Sequence, residues 1–363
     1  MNRPQEIQHK LGLMRAALRR CQARALRLKG SDWFFWASAG ADNTVLTVNE
    51  TGIAEILITA HDAWVLTDEI EAERLKTEQS VPGFQFHVRP WTDEKNLAAF
   101  ILDQSERGKV LCDRPSNTES PIDLLLQQQR FTLTPPEISR YKKAGLLASQ
   151  AMTEVLKQAR YTWSELELAG AAAECLWSRG LTPALILAAG SRRLALYRHP
   201  LPGNERLDKG AMLVFCARGF GLYANLTRFI AFTKPDSIVT QEQQSILEIE
   251  AAALNATKPG MGLSEIYAIL ANEYARIGKP NAINEHHQGG LTGYLAREAI
   301  AQPASEFNLE ANNAVAWNPS LPGTKIEDTF LLGPDRKLEN LTFDNTWPHI
   351  EVSGRKRPMV WQT

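Results

Sequence analysis

The sequence predicts a two-domain protein of the mixed α/β (α+β) class. Its 363 residues suffice for two domains of ordinary size, and 44% hydrophobic with 22% charged residues is typical of a globular chain. Short apolar runs alternate with helical patterns over the first 130 or so residues, and long amphipathic helices follow. We therefore predict a small N-terminal α/β domain at 1–131, a larger domain at 132–345 and a C-terminal tail at 346–363.

The N-terminal domain begins with helical spacing and continues with short strands. Apolar side chains at helical intervals predict a helix over 4–29, and its interrupted apolar pattern does not predict a signal peptide. A helix near 94–107 and a strand at KVLCD (109–113) follow later. Between them, four apolar runs predict strands: WFFWAS (33–38), TVLTV (44–48), EILITA (55–60) and AWVLT (63–67).

The larger domain opens at TLTPPEISRYKKAG (132–145), where two prolines after a threonine favour the first turn of a helix. A second helix is predicted to begin at TWSE (162–165), which has the form of a capping box. The pattern from 163 to 183 returns at 263–280, and a β-rich stretch follows each copy. Either this is a repeat that places a pocket between two halves, or any two amphipathic helices would look alike.

Charge and cysteine usage exclude several classes of protein. The net charge of −1 and the absence of like-charge blocks do not favour a nucleic-acid partner. No apolar stretch is long enough to cross a membrane. The cysteines lie far apart, at Cys21, Cys112, Cys175 and Cys216, which predicts free thiols in a reducing compartment. We therefore expect a cytoplasmic protein with neither a nucleic-acid nor a membrane partner.

Four segments of the second half form an ordered set of motifs. They are KGAMLVFCARGFGLYANLTRFIAF (209–232), EHHQGGLTGY (285–294), AVAWNPSLPG (314–323) and GTKIEDTFLL (323–332). In order and spacing they resemble the creatinase, prolidase and aminopeptidase P family, and IEAERLKTE (70–78) is similar to its N-terminal domain. The resemblance implies a C-terminal pita-bread domain, a homodimer, and a small molecule or short peptide as substrate.

The resemblance also locates the family's metal ligands, which are Asp, Asp, His, Glu and Glu around two divalent ions. Position by position they fall on Cys216, Asn225, His287, Asn318 and Glu327, so only the histidine and the last glutamate are kept. Since two neutral amides replace carboxylates, we expect no dinuclear site and no resident cofactor. The alternatives for Cys216 are a small buried hydrophobe, a catalytic nucleophile, or one ligand of a single zinc shared with His287 and Glu327.

Histidines supply the predicted chemistry, since the resemblance to creatinase implies acid–base hydrolysis without a metal. The catalytic candidates are His287, His199 and Glu327, where the carboxylate would orient His287 or simply form an ion pair. On a strand, His286 and His287 would point to opposite faces, which favours His287 in the pocket. The glycines that follow at 289 and 290 would permit close approach of a ligand.

The remaining candidates are substrate ligands. Arg228 offers a fork for a carboxylate, unless it pairs instead with Glu327 or Asp328. His286, Asn225 and Asn318 complete the set, and the two amides suit hydrogen bonding to an amide or urea-like group.

Three functions follow from these residues. The first is metal-independent, creatinase-like hydrolysis of a C–N bond, of amide or amidine type, in a small molecule. The second is an Xaa-Pro-type aminopeptidase or dipeptidase with an altered mononuclear metal site. The third is a catalytically inactive homologue that binds a ligand or protein through the old cleft. Retention of His287, Glu327 and Arg228 favours an enzyme over the third.

Overall fold

The computed structural model describes residues 1–234 and 237–363 and divides the chain into two compact units. Unit 1 is Met1–Glu137 and unit 2 is Ile138–Thr363, so the division lies six residues beyond the predicted one. Both boundaries fall at or near the start of one long helix, Pro135–Gln158. Within the described ranges, no helix combines the length and the hydropathy needed to cross a membrane.

Unit 1 is built on one mixed sheet with the strand order β4-β3-β2-β1-β5-β6. Its helices are α1 (Arg3–Arg20), α2 (Ser31–Ala37), α3 (Ala72–Glu78), α4 (Glu94–Gln104) and α5 (Leu124–Phe131). Its strands are β1 (Ala25–Gly30), β2 (Thr51–Thr59), β3 (Ala63–Asp68), β4 (Gln85–Arg89), β5 (Val110–Cys112) and β6 (Ser120–Pro121). The predicted strands at 55–60, 63–67 and 109–113 and the helix near 94–107 are confirmed.

Three predictions in unit 1 are wrong for identifiable reasons. The first helix ends at Arg20, because Gln22 takes a positive φ of 51° and the chain turns into β1. Residues 33–38 are helical rather than extended, because α2 is buried on every side and a uniformly apolar run shows no period. Residues 44–48 form no strand, since their apolar side chains are largely exposed and pack against no sheet.

Unit 2 combines long helices with two main sheets, which are antiparallel except that β19 runs parallel to β9. Its helices are α6 (Pro135–Gln158), α7 (Glu165–Trp177), α8 (Ser191–Leu194), α9 (Ser237–Ala256) and α10 (Leu263–Arg276), with a 3-10 turn at Pro280–Asn284. Its strands are β7 (Thr182–Gly190), β8 (Gly210–Gly219), β9 (Leu222–Ala231), β10 (Gly289–Thr292), β11 (Ala299–Ile300), β12 (Ala314–Trp317), β13 (Ser320–Leu321), β14 (Thr324–Lys325), β15 (Asp328–Leu332), β16 (Leu338–Asn340), β17 (His349–Val352), β18 (Arg355–Pro358) and β19 (Trp361–Gln362).

A backbone bridge connects the two main sheets of unit 2. One sheet has the order β19-β9-β8-β7 and the other β11-β10-β12-β15-β16. Thr227 of β9 pairs with Glu327, just before β15, and so connects them. Helices α6 and α7 pack on the first sheet through one apolar core, whose members include Leu156, Leu176 and Phe215. Two helices followed by strands occur in both halves of unit 2, α6 and α7 before β7 and α9 and α10 before β10.

Two further details of unit 2 differ from expectation. The capping box of α7 is formed by Ser164 and Glu167, two residues later than predicted, because Ser164 takes the extended backbone of an N-cap. The segment 346–363, expected to be a tail, forms β17, β18 and β19 within unit 2. Arg357 of β18 is 1% exposed, and its guanidinium pairs with Glu250 and Asp328. This buried network connects the C-terminal strands to α9 and β15.

Candidate active site

The β8–β9 ladder presents the first side chains of the candidate site. Cys216 and Asn225 lie directly opposite each other, so their side chains share one face of the sheet. Thr227 lies two residues after Asn225 and shares that face, because side chains alternate along a strand. Arg228 faces the other way. Its guanidinium is buried and donates to Asp328 at 2.8 Å and to the Thr342 carbonyl at 2.9 Å.

Arg228 is therefore a structural ion-pair partner, and its prediction as a substrate ligand is wrong. The alternative that it pairs with Asp328 is the one observed. The physical reason is strand periodicity. Successive side chains of a strand point to opposite faces, so Arg228 points away from the face that Asn225 and Thr227 share. Its positive charge is paired inside unit 2, where Asp328 also forms an ion pair with Arg357.

The hydrogen bonds of Asn225 connect β9 to β10 and β15, and one polar atom of its side chain makes no hydrogen bond among the described residues. Its backbone N–H donates to the Thr329 hydroxyl at 2.8 Å, and its Nδ2 donates to the Thr292 hydroxyl at 2.9 Å and the Tyr223 carbonyl at 3.3 Å. Because a carbonyl can only accept, these bonds determine the orientation of the amide. Its Oδ1 then has no partner among the described residues, and neither has the Oδ1 of Asn318. Buried acceptors in this condition favour a ligand that brings N–H or O–H groups.

Glu327 accepts from two cations at the meeting point of the sheets. Its Oε1 accepts from Arg297 at 2.6 Å, and its Oε2 lies 3.3 Å from the Lys325 ammonium and 3.2 Å from the Thr227 hydroxyl. Burial alone would raise the pKa of this carboxyl, but Lys325 and Arg297 outweigh it and lower the pKa to about 2. The Glu327 carboxylate is therefore ionised at neutral pH, and the positive charges of Arg297 and Lys325 offset its negative charge.

Cys216 does not offer a thiolate. The residue is buried, and burial together with the charge of Glu327 raises the pKa of its thiol to about 12. A protonated thiol is a poor nucleophile at neutral pH. These observations favour the alternative in which Cys216 is a small buried hydrophobe.

Three histidines lie close together near Glu327. One ring nitrogen from each of His199, His286 and His287 lies within 4.8 Å of the others. The His199 and His286 Nε2 atoms are 2.8 Å apart, and the rings of His286 and His287 stack with centroids 4.6 Å apart. We call these three residues the histidine cluster. It contains the predicted catalytic pair His287 and His199 together with His286.

The prediction that only one of the adjacent histidines enters the site is wrong. His286 and His287 precede β10 rather than lying on it, so strand alternation does not separate them. Gly289 and Gly290 also have a role other than the predicted one. A Cβ at Gly289 would lie 2.1 Å from the Ala316 carbonyl oxygen, so this glycine permits close packing of strands rather than of a ligand.

Burial keeps the histidine cluster neutral. It lowers the pKa of His286 to about 2, with smaller contributions from Lys325 and His287. It also lowers the pKa of His287 to about 4, assisted by Arg297, and the pKa of His199 shifts in the same direction. Neutral imidazoles can accept a proton or bind a metal ion, whereas imidazolium can do neither.

Sequence reasoning missed two residues that shape the site. Arg297 lies ten positions after His287 with no motif around it, and only its contact with Glu327 reveals it. Gln288 is fully buried, accepts from the Tyr274 hydroxyl at 3.0 Å, and donates to the carbonyls of Ile283 and His286. A polar residue directly after two histidines was the available signal.

Access to the site is uneven. Asn225, Asn318 and Glu327 are 0–2% exposed, which closes the end nearest the β8–β9 ladder. His199 is exposed and His287 partly so, which leaves the histidine cluster open to solvent.

The comparisons with known proteins agree with this architecture. The profile of metallopeptidase family M24 matches residues 139–334, more than half of the chain. The chain belongs to metallopeptidase family M24. A relative, the Xaa-Pro dipeptidase of Pyrococcus horikoshii, is 22% identical over 303 residues, or 76% of this chain and 83% of the relative.

Solved structures similar to this M24 chain share its fold. The Xaa-Pro dipeptidase from Bacillus anthracis has a TM-score of 0.79 at 19% identity, over 98% of this chain and 100% of that one. The N-terminal domain of FACT complex subunit SPT16 from Cicer arietinum (chickpea) has a TM-score of 0.72 at 13% identity, over 94% and 96%. The predicted family and the two-domain α/β, pita-bread fold class are confirmed.

Proposed function

We propose that this M24 protein hydrolyses the amide bond of dipeptides or short peptides of Xaa-Pro type, using the histidine cluster in place of the usual carboxylate set. The observation that carries the proposal is the convergence of three neutral histidines at the open end of the site. Relatives named Xaa-Pro dipeptidases support the peptide substrate. They support it better than the metal-independent, creatinase-like hydrolysis that the sequence favoured.

The five family ligand positions do not fit a dinuclear metal site. Asn225 and Asn318 are uncharged, and Cys216 offers no carboxylate oxygen. The remaining carboxylate, Glu327, is paired with Arg297 and Lys325. Two divalent cations would therefore meet one carboxylate and two competing positive charges, where anionic oxygen ligands are required. No step of the proposed reaction passes through such a pair.

The residues present can carry out the proton transfers of hydrolysis. A neutral imidazole takes a proton from water as the water oxygen bonds to the carbonyl carbon. His287, which lies near Glu327, is best placed to provide it. The same proton then passes to the leaving nitrogen as the C–N bond breaks. The Oδ1 atoms of Asn225 and Asn318, which lack partners among the described residues, are buried at the closed end of the site, so a peptide N–H would reach them only if this end opens.

The charges of the site favour a substrate with a free carboxylate. Arg297 and Lys325 bring two positive charges to the one negative charge of Glu327, while the histidines stay neutral. Among these three described side chains one positive charge is in excess, and it would attract the C-terminal carboxylate of a dipeptide. The nearby pairs of Arg228 and Arg357 with Asp328 and Glu250 are balanced.

The test is release of free proline from Xaa-Pro dipeptides, measured by mass spectrometry with and without added Zn, Mn or Co. We expect hydrolysis of Xaa-Pro over Xaa-Ala, and a C-amidated dipeptide to react about tenfold more slowly. The His287→Gln variant should lose at least about a hundredfold in kcat/KM. The exposed His9 gives a matched control, and His9→Gln should retain full activity. No proline release under any condition would refute the proposal.

A second candidate is an inactive homologue that binds a ligand or protein. The neutralised Glu327 and the protonated Cys216 favour it, and the fold is also that of an SPT16 domain. Calorimetry separates the two, because binding of a dipeptide without cleavage would support this candidate. A homodimer and a cytoplasmic location remain predictions, which sedimentation analysis and cell fractionation can test.

A further inference from the structure

We propose that His199, His286 and His287 form a site for one divalent transition-metal ion, with zinc as the best match. The existence of this site does not rest on the proposed function, and a His287 imidazole bound to the ion would not be free to act as the base described there. The site differs from the set of Cys216, His287 and Glu327 that the sequence suggested for a single metal. It keeps only His287 from the family's ligand positions.

The distances within the cluster support a shared ligand. The three nitrogens lie within 4.8 Å of one another, and two of them, the Nε2 atoms of His199 and His286, face each other at 2.8 Å. Zinc binds imidazole nitrogen at about 2.0–2.1 Å with tetrahedral angles, which sets ligand nitrogens somewhat more than 3 Å apart. The observed 2.8 Å contact is shorter than that separation, so binding of the ion requires these two nitrogens to move apart.

Two of the ligands are held firmly, and the third can adjust. Gln288 anchors the main chain before β10 through the Tyr274 hydroxyl and the His286 carbonyl. His286 is only 8% exposed, and its Nδ1 has no partner within the described part of the chain. His199 is exposed and belongs to the segment between α8 and β8.

An ion pair brings the two segments together next to the ligands. Arg198 pairs with Glu285, and the residues directly following them in the chain are His199 and His286. The ion pair therefore lies directly beside the proposed ligands in the chain, and neither histidine takes part in it. This explains how histidines 87 positions apart in sequence come within hydrogen-bond distance.

The donor set indicates the class of metal. Three neutral imidazoles suit zinc, copper, nickel and cobalt(II) rather than the oxygen-seeking magnesium or calcium. Three protein ligands leave the fourth tetrahedral position open to water or substrate, as in catalytic rather than structural zinc sites. The exposed side of His199 is where such a position would be reached.

The experiment titrates the full-length protein with zinc and with cobalt(II). Elemental analysis after equilibrium dialysis should give about one zinc per chain, and cobalt should show the visible d–d bands of tetrahedral coordination. His199→Ala and His286→Ala should each weaken zinc binding at least about a hundredfold, because changes outside the ligand set already cost ten to a hundredfold. Cys216→Ser and the surface control His9→Ala should bind zinc as the wild type does.

Several outcomes would overturn the proposal. They are no bound zinc or cobalt, wild-type binding in His199→Ala, or loss of binding in Cys216→Ser with retention in His199→Ala. The last result would establish the Cys216, His287 and Glu327 site instead. Because His199 is exposed, its alanine variant should fold even if His286→Ala does not, and circular dichroism checks this. Stoichiometric zinc without proline release would refute the proposed function alone.

Discussion

Two carboxylates of this chain have the same kinds of cationic partner but different surroundings. In unit 1, Glu119 accepts from Arg27 at 3.0 Å and from Lys29 at 2.7 Å, and its side chain is 6% exposed. The Ser116 N–H and hydroxyl complete its shell. Burial would raise the pKa of Glu119, but Lys29, Ser116 and Arg27 lower it to about 2.

Glu327 in unit 2 is also bound by one arginine and one lysine, and its pKa is also about 2. What differs is the neighbourhood, where the Oδ1 atoms of Asn225 and Asn318 lack partners in the described structure. The histidine cluster, which interacts electrostatically with Glu327, adds three neutral bases. An ion pair with a lowered pKa therefore does not distinguish a structural cluster from a functional site. Unsatisfied polar atoms and accessible bases do.

The largest expected effect separates the two clusters by stability. Glu327→Gln should lower the free energy of unfolding of unit 2 by about 3 kcal/mol, because it strands two buried cations. Glu119→Gln should lower the free energy of unfolding of unit 1 by only about 1–2 kcal/mol. Arg27 would still donate to the Glu55 carboxylate, and Lys29 would still donate to the Arg114 carbonyl. Hydrogen exchange resolved by unit measures both. Equal losses would show that the surroundings of the two carboxylates do not matter.

The second prediction concerns acid stability. The pKa of Glu119 is lower in the folded state than its usual 4.5, so its contribution is fully present above that value. As pH falls from 4.5 towards about 2, unit 1 should lose about 2 kcal/mol, and Glu119→Gln should remove this part of the pH dependence. Chemical unfolding at successive pH values measures the loss. An unchanged slope in the variant would contradict the ion-pair assignment.

The smallest expected effect has the opposite sign. Asn318→Leu removes a buried acceptor that lacks a partner within the described ranges, so the free energy of unfolding of unit 2 should rise by about 1 kcal/mol while hydrolysis or ligand binding is lost. Unfolding and proline release on the same preparation test both halves. A destabilised variant would indicate that the amide is satisfied in solution. The comparison between the two clusters would then lose its main support.

Local patterns predicted the fold well where an apolar run or a helix start had a clear sequence signal. Strands β2 and β3 follow from their apolar runs, and α6 follows from its paired prolines. Helix α2 was mistaken for a strand because Trp33 to Trp36 is apolar on all sides, so periodicity carried no information. Tertiary burial, rather than propensity, decided that segment.

The candidate site was predicted in part. His287, Glu327 and the replaced ligands followed from motif order, whereas Arg297 lies outside every motif and was missed. The assignment of Arg228 failed because a position one residue along a strand points to the opposite face. Its true partner, Asp328, was recognised only as an alternative.

The sequence by itself determined the family and the order of the strands that carry the site, because both follow from motifs made of residues adjacent along the chain. Only the tertiary structure decided which cations neutralise Glu327 and that His199 reaches His286. Such pairings join residues far apart in sequence, and their distances depend on how whole strands and turns pack. Local periodicity reports which face a side chain takes, but not what lies across from it.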